Sequence, residues 1–115
     1  MQEILTIVPQ LPSVDFEATK AFYTQNLGFT LENEYPDLLI FTINGQELHF
    51  WRCNEKHIAE NSSVYIRVQD IDALHERYKS WVHPHAGLAD KPWGMREFYV
   101  LDDSGNLLRF GCPIG

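Results

Sequence analysis

Asp15-Phe16-Glu17-Ala18 is matched by Asp70-Ile71-Asp72-Ala73, which lies 55 residues further along the chain. A second match pairs Gly45-Gln46-Glu47-Leu48-His49-Phe50 with Gly105-Asn106-Leu107-Leu108-Arg109-Phe110, at an offset of 60 residues. The two offsets agree if a loop of the second half carries about five extra residues. Chance similarity between amphipathic segments is the alternative. The repeat is the better interpretation, and it predicts two copies of one supersecondary unit.

Each copy of the repeat is predicted to begin with a strand followed by a helix. Asp15 and Asp70 suit the N-caps of the two helices because a carboxylate accepts hydrogen bonds from the first free backbone N–H groups. Tyr23 and Tyr78 hold matching positions on the apolar stripes of these helices. Gly28 ends the first helix, since glycine readily adopts left-handed backbone angles. Runs of β-branched and apolar residues predict strands over residues 4–11, 29–35, 38–43, 47–53, 64–68, 87–89, 96–101 and 107–111.

The predicted fold is α+β, with two βαβββ modules in a single domain of 115 residues. Module one spans about 1–53, a polar linker about 54–62, and module two about 63–115. One helix in each module can cover only one face of its strands. We therefore expect curved mixed sheets that surround a concave groove, and a ligand that binds in this groove.

The composition excludes several classes of partner. Nine basic residues against sixteen acidic residues give a net charge of −7 with histidine neutral. Nucleic acids and anionic membrane surfaces require a basic face, so neither is an expected partner. No apolar run approaches the roughly 18–20 residues of a membrane span. Residues 1–5 lack the basic start of a signal peptide, so we expect a cytoplasmic protein. Cys53 and Cys112 form neither a disulfide framework nor a paired metal motif.

Strand alternation selects the candidate ligand-binding residues. If Leu48 and Phe50 point toward the helix, His49 and Trp51 point into the groove. His49 has no carboxylate or second histidine at an obvious ligand spacing, so a neutral, hydrogen-bonded histidine is favoured over a catalytic base. The same argument applied to the other strands adds Ser63, Tyr65, Arg67 and Arg109.

Several motifs identify the family. The segments LPSVDF (residues 11–16), AFY (21–23) and LGF (27–29) resemble the opening of the vicinal-oxygen-chelate, or glyoxalase-like, superfamily. The segments PQLP (9–12), KPWGMREF (91–98) and DDSGNLLRF (102–110) resemble its bleomycin-resistance branch. The resemblance covers nearly the whole chain, and it implies the same paired βαβββ modules.

The resemblance also implies that a metal site has been lost. Enzymes of the superfamily hold a divalent metal through His, His or Gln, and Glu side chains in the cup. The matching positions lie seven residues before Asp15 and Asp70 and in the final strand, and they carry Val8, Ser63 and Arg109. Valine has no donor atom, serine is a poor ligand on its own, and arginine repels a cation. We therefore expect no metal, no other cofactor and no catalytic residue.

The resemblance to the bleomycin-resistance branch implies a non-catalytic homodimer. Proteins of this kind sequester the antibiotic bleomycin in clefts formed by both subunits. The drug has a flat bithiazole, a cationic tail and a metal-chelating head, and aromatic side chains suit the bithiazole because stacking is attractive. The candidate stacking residues are Trp93, Tyr65 and Trp51, with Tyr35 as a weaker candidate. The resemblance thus implies a homodimer that binds and sequesters a bleomycin-type glycopeptide antibiotic, with no change to any bond of this small-molecule ligand.

Two alternatives and one inconsistency stay open. A metal-dependent glyoxalase-like isomerase or an extradiol dioxygenase-like enzyme would share this fold, and so would a small-molecule sensor with the same groove. Arg67 and Arg109 put positive charge on the groove face, which does not suit a wholly cationic ligand. Either they pair with Glu or Asp residues of the second subunit, or the ligand carries an acidic or carbonyl-rich part.

Overall fold

A computed structural model describes residues 2–115 of the chain. The elements of the first half are β1 (Gln10–Ser13), α1 (Phe16–Ala21), β2 (Thr30–Tyr35), β3 (Leu38–Ile43) and β4 (Gln46–Arg52). The elements of the second half are α2 (Lys56–Ala59), β5 (Ser63–Arg67), α3 (Ile71–Tyr78), β6 (Ala89–Asp90), β7 (Met95–Leu101) and β8 (Leu107–Pro113). A π-helical turn, Phe22–Asn26, extends α1, and a 3-10 turn, Lys79–Trp81, extends α3.

The two sheets have the same topology. Their strand orders are β1-β4-β3-β2 and β5-β8-β7-β6. In each sheet the strands that come first and last along the chain, β1 with β4 and β5 with β8, pair in parallel. The other pairs are antiparallel. The predicted α+β fold of two βαβββ modules is therefore confirmed. The one-turn helix α2 lies within the predicted linker. Among residues 2–115, no helix is both long enough and apolar enough to cross a lipid bilayer.

The predicted caps and turns are present. Asp15 accepts hydrogen bonds from two backbone N–H groups of α1, at 3.0 and 3.2 Å, and Asp70 accepts one from α3 at 3.4 Å. Gly28 ends the first helical segment with φ of +83°. Asn44 and Gly45 both have positive φ, +50° and +77°, as a tight turn between β3 and β4 requires.

The first strand begins later than predicted. Residues 4–11 were expected to form it, but β1 starts at Gln10, and its pairing with β4 starts at His49. Strand propensity favours an extended backbone, but a strand also needs a neighbouring strand. Residues 2–9 have no such neighbour beyond one hydrogen bond, which the Pro9 carbonyl oxygen accepts from the His49 N–H at 3.1 Å. Three apolar side chains of this segment are exposed, those of Ile4, Leu5 and Ile7. The bounds of the other strands agree with prediction to within two residues.

One face of each sheet is buried. Leu48 and Phe50 of β4 are buried while Trp51 is exposed, which confirms the predicted alternation. Leu108 and Phe110 are likewise buried in β8. The largest fully buried apolar side chains are those of Tyr23, Leu39, Phe41, Phe50, Phe98, Val100 and Leu108. We call the opposite face of each sheet, which turns away from this core, its outer face.

A buried carboxylate joins the two modules. Asp102 Oδ2 accepts a hydrogen bond from the Tyr23 hydroxyl of the first module at 2.7 Å, and another from Asn106 Nδ2 at 2.9 Å. The same Asn106 amide donates to the carbonyl oxygen of Pro12 on β1 at 2.9 Å. Tyr78, which matches Tyr23 in the repeat, donates instead to a backbone carbonyl of the first module at 2.6 Å. The tyrosines that the repeat places in equivalent positions thus both stabilise the contact between modules.

We predict that Tyr23→Phe lowers the free energy of unfolding by about 1.5–3 kcal/mol, because it removes a hydrogen bond to a buried carboxylate. Urea denaturation measures this loss. Tyr35→Phe is the matched control, since the Tyr35 ring is exposed and its hydroxyl makes no hydrogen bond within residues 2–115. Equal stabilities for the two variants would contradict the prediction.

Candidate functional site

A strip of apolar side chains crosses the outer face of the first sheet. Trp51 lies opposite Pro12 on one side and Leu38 on the other, and Leu38 lies opposite Tyr35. Residues directly opposite in neighbouring strands point to the same face. The Trp51 and Tyr35 side chains are 38% and 52% exposed, whereas Leu38 is half-buried and Pro12 is buried. The two rings of this strip therefore face solvent in a single chain.

His49 lies on the same face beside a carboxylate. Its Nε2 is 2.8 Å from Glu47 Oε1, two residues earlier in β4. The expectation that His49 has no carboxylate nearby is therefore wrong, because side chains at i and i+2 of a strand share a face. His49 Nδ1 is buried and has no partner among the described residues. The contact with Glu47 agrees with a hydrogen-bonded histidine.

The outer face of the second sheet carries two neighbouring rows of residues. Tyr65, Arg109 and Tyr99 form one row, and Arg67, Gly111 and Glu97 form the next. Gly111 has no side chain, and a Cβ atom placed there would lie 2.1 Å from the Tyr65 hydroxyl oxygen. The Tyr65 ring therefore crosses the second row at Gly111 and reaches Glu97 on the far side.

Glu97 is buried under these rings and accepts three hydrogen bonds. The Tyr65 hydroxyl and the Trp93 indole N–H donate to Oε2 at 2.6 and 2.9 Å, and the Tyr99 hydroxyl donates to Oε1 at 2.9 Å. The side chain has no exposed surface. Burial acts to raise the pKa of the Glu97 carboxyl, but the hydrogen bonds from Tyr65, Trp93 and Tyr99, with the charge of Arg109, hold this pKa below its ordinary value.

Arg109 completes this group, which we call the Glu97 cluster: Glu97, Tyr65, Trp93, Tyr99 and Arg109. The Arg109 guanidinium lies 5.5 Å from the ring centre of Tyr65 and 5.0 Å from that of Tyr99. It donates to the Tyr99 hydroxyl at 3.1 Å and lies 3.8 Å from the Glu97 carboxylate. The sequence left two ways to balance the charge of Arg109, acidic residues of a second subunit or an acidic or carbonyl-rich part of the ligand. Neither is needed, because the Glu97 carboxylate of the same chain balances this charge. Arg67 forms no ion pair within residues 2–115.

Trp93 presents its ring at the surface while its N–H points inward. It lies in the turn between β6 and β7, next to Gly94, whose φ is +83°. The side chain is 58% exposed, yet its indole N–H donates to the buried Glu97. An indole held in this way offers a large apolar face in a fixed orientation.

The structure brings together only part of the predicted site. Tyr65, Trp93 and Arg109 meet at Glu97, and Ser63 and Arg67 share their sheet face. Among residues 2–115, no hydrogen bond or ring contact connects this group with the candidates of the first sheet, which are His49, Trp51 and Tyr35. All eight stay predicted ligand-binding residues.

Glu97, Tyr99 and Gly111 were missed by the sequence analysis. Alternation along β7 gives the signal for the first two, since Glu97 and Tyr99 must face away from the buried Phe98 and Val100. A charged residue in a strand that is otherwise apolar was the available clue. Gly111 could be recognised only from its register with Tyr65 and Glu97.

The residues at the expected metal positions do not fit a metal ion. Val8 precedes β1, whereas Ser63 opens β5 and Arg109 lies in the middle of β8. A hydrocarbon and a guanidinium supply no ligand atom, and Arg109 already pairs with Glu97. Within residues 2–115, no group of three or more His, Cys, Asp or Glu side chains could hold a metal ion.

A crevice of about 980 Å³ runs along β5. It lies between Tyr65 and Arg67 of the second sheet and Glu47 and Leu48 of the first, with residues 6, 7 and 9 at its border. β5 is an edge strand, because only β8 pairs with it. The crevice therefore adjoins a free strand edge and the exposed amino-terminal segment.

We predict that Tyr65 ionises at a pH of about 12 and that Glu97→Gln lowers its pKa. Burial raises the pKa of Tyr65, and the hydrogen bond to Glu97 and the negative charge of Glu97 raise it further, to about 12. The near-ultraviolet absorbance of tyrosinate measures this titration. Tyr65→Phe identifies the transition that belongs to Tyr65 among the five tyrosines. If the transition that Tyr65→Phe removes lies at the ordinary pKa of tyrosine, about 10, the hydrogen bond from Tyr65 to Glu97 is refuted.

Comparison with known proteins places this geometry in a family. A bleomycin resistance protein of Geobacillus stearothermophilus is 29% identical to this chain, over 93% of the chain and 96% of its own length. The bleomycin-binding protein from bleomycin-producing Streptomyces verticillus, solved in complex with copper(II)-bleomycin, has a TM-score of 0.84 and 32% identity, with 96% and 97% of the two chains covered. A bleomycin resistance determinant encoded on the transposon Tn5 has a TM-score of 0.83 and 25% identity, with 96% and 98% covered. The model of the Glyoxalase/Bleomycin resistance protein/Dioxygenase superfamily matches residues 4–110, and the chain belongs to this superfamily.

Proposed function

We propose that this protein binds and sequesters a bleomycin-type glycopeptide antibiotic and leaves every bond of the drug unchanged. The observation that carries the proposal is the exposed indole of Trp93, which a buried carboxylate holds on the outer face of the second sheet. The proposal is supported by the similar Streptomyces verticillus protein, which is a bleomycin-binding protein. Capture is stoichiometric, and it keeps the drug from reaching its target.

The Glu97 cluster suits a planar ligand with a cationic part. Trp93 and Tyr65 offer aromatic faces for stacking, and these rigid rings lose little entropy when a ligand binds. Arg109 lies in the cluster, but Glu97 balances its charge within the same chain. A cationic ligand is therefore not repelled by an uncompensated guanidinium at this point.

The net charge assists the encounter. With a net charge of −7, the protein attracts a cationic drug over about one Debye length, which is near 10 Å at moderate salt. Long-range attraction of this kind raises the association rate more than the affinity. The same charge disfavours binding to nucleic acid and to anionic membrane surfaces. We also propose a cytoplasmic location.

We also propose that the protein is not an enzyme. Val8, Ser63 and Arg109 supply no ligand set for a divalent metal, so the metal chemistry of the enzymes in the superfamily has no support at these positions. Cys53 is buried and Cys112 half-buried, and both lie at the ends of strands. Among residues 2–115, neither thiol makes a hydrogen bond to a basic side chain, and the Cys53 thiol contacts only the backbone of Glu55.

Isothermal titration with bleomycin tests the binding function. We expect saturable binding at micromolar protein and at least about tenfold weaker binding for Trp93→Ala, because an aromatic residue at the centre of a contact contributes strongly. Ile114→Ala, which shortens another exposed apolar side chain, should bind like the wild type. Mass spectrometry of the released drug should show an unchanged mass. No heat with the wild type, or an altered drug, would overturn the assignment.

We propose that the active form is a homodimer. The Ile4, Leu5 and Ile7 side chains are exposed, and exposed apolar groups in a row are typical of an interface. The free edge of β5 and its crevice lie beside this segment. A second copy can bury the segment and cover the edge at the same time.

Sedimentation velocity tests the dimer. We expect the wild type to sediment as a dimer and the double variant Leu5→Asp, Ile7→Asp to sediment as a folded monomer, because two carboxylates at the interface are costly to bury. Ile114→Asp is the matched control, since it adds a charge at an exposed apolar residue far along the chain. A dimeric double variant would show that residues 2–9 do not form the interface.

A further inference from the structure

The Glu97 carboxylate connects the surface of the second sheet with its interior. Its two oxygens accept hydrogen bonds from three different rings, and the carboxylate itself has no exposed surface. A buried carboxylate is stable only when its oxygens are paired. The three donors therefore stabilise Glu97, and Glu97 in turn fixes the direction of each donor.

Trp93 depends on this contact more than the two tyrosines do. Tyr65 and Tyr99 belong to strands, whose backbones already direct their side chains, whereas Trp93 lies in the turn before β7. Within residues 2–115 the Trp93 ring has no aromatic neighbour, and an indole has one hydrogen-bond donor. That donor is used on Glu97 Oε2, the oxygen that also accepts from Tyr65.

Tyr65 reaches this oxygen because residue 111 is glycine. The nearest atoms to an added Cβ at Gly111 would be the Tyr65 hydroxyl oxygen at 2.1 Å and Cζ at 2.7 Å. No real Cβ approaches other atoms so closely. Any larger residue at this position must displace the Tyr65 ring, and the hydrogen bond to Glu97 is then lost.

We propose that Glu97 is a positioning residue, which fixes the exposed Trp93 ring for ligand stacking, and that Gly111 must lack a side chain so that Tyr65 can complete the arrangement. The role of Trp93 toward a ligand rests on the proposed function. The orientation of its ring does not, because it is a property of the free protein and can be measured there.

NMR of the free, isotope-labelled protein tests the orientation. The Trp93 indole signal is the one of three that disappears in Trp93→Phe. In the wild type we expect its N–H to exchange slowly with solvent although the ring is exposed, because a buried carboxylate accepts it. In Glu97→Gln we expect this signal to shift and its exchange to accelerate. Glu76→Gln removes an exposed carboxylate on α3 and should leave the signal unchanged. Fast exchange in the wild type would overturn the proposal even if Glu97→Gln does not fold.

Binding measurements separate positioning from a general structural role. We expect Glu97→Gln to weaken bleomycin binding about tenfold in the wild type, and by less when Trp93 is already Phe. Phe has no N–H to orient, so only the loss of the charge that balances Arg109 remains. An equal loss in both backgrounds would show that Glu97 does not act through Trp93. If the wild type binds no bleomycin, the proposed function fails, while the NMR result still decides whether Glu97 positions Trp93.

A second pair of variants tests Gly111. Gly111→Ala should lower the Tm and release the Tyr65 hydroxyl, whereas Gly111→Ala combined with Tyr65→Val should lose no further stability relative to Tyr65→Val alone. The added methyl group then meets no ring. Equal losses in both backgrounds would show that Gly111 is required for another reason, and the part of the proposal that concerns Tyr65 would be wrong.

Discussion

Apart from the one-turn helix α2, each four-stranded sheet has a single helix, α1 or α3, and the rest of the structure depends on this constraint. Four strands at a spacing of about 4.8 Å are wider than one helix of about 10 Å diameter, and a single helix can lie on only one face. The two helices and the neighbouring module therefore enclose one continuous apolar core, which contains residues such as Tyr23 and Phe110. The outer faces stay uncovered, and the aromatic and charged residues on them have nowhere else to pack.

Two buried carboxylates, those of Asp102 and Glu97, stabilise different parts of this arrangement. Asp102 accepts hydrogen bonds from Tyr23, from Asn106 and from the backbone of its own turn, so it fixes the contact between modules. Glu97 accepts hydrogen bonds from three rings and fixes an exposed surface. An isolated buried carboxylate costs several kcal/mol, and both residues avoid this cost through complete hydrogen bonding of the charge. The same principle thus serves stability in one place and ligand binding in the other.

Local signals were sufficient to predict most of the fold. The caps at Asp15 and Asp70 and the turn at Asn44-Gly45 each depend on a few adjacent residues, and they agree with the structure. The prediction of a strand over residues 4–9 was wrong because a strand requires a neighbouring strand to pair with, and strand propensity does not reveal whether one is present. For the candidate site, alternation placed Tyr65 and Arg109 on one face, but the acceptor that joins them was missed. Glu97 is 32 residues from Tyr65, and only the register of β5, β8 and β7 brings the two together.

The two halves of the repeat differ in the buried hydrogen bonds that their equivalent tyrosines, Tyr23 and Tyr78, make. Tyr23 donates to the carboxylate of Asp102, whereas Tyr78 donates to the backbone carbonyl of Leu27. In the first half, the register of β3 with β4 places Ile43 where the second half has Asp102. A tandem of two first halves would offer no carboxylate to either tyrosine, and a tandem of two second halves would bring two carboxylates into the same interior. The two halves are therefore not interchangeable, because this core contact requires the helix of the first half together with the final turn of the second.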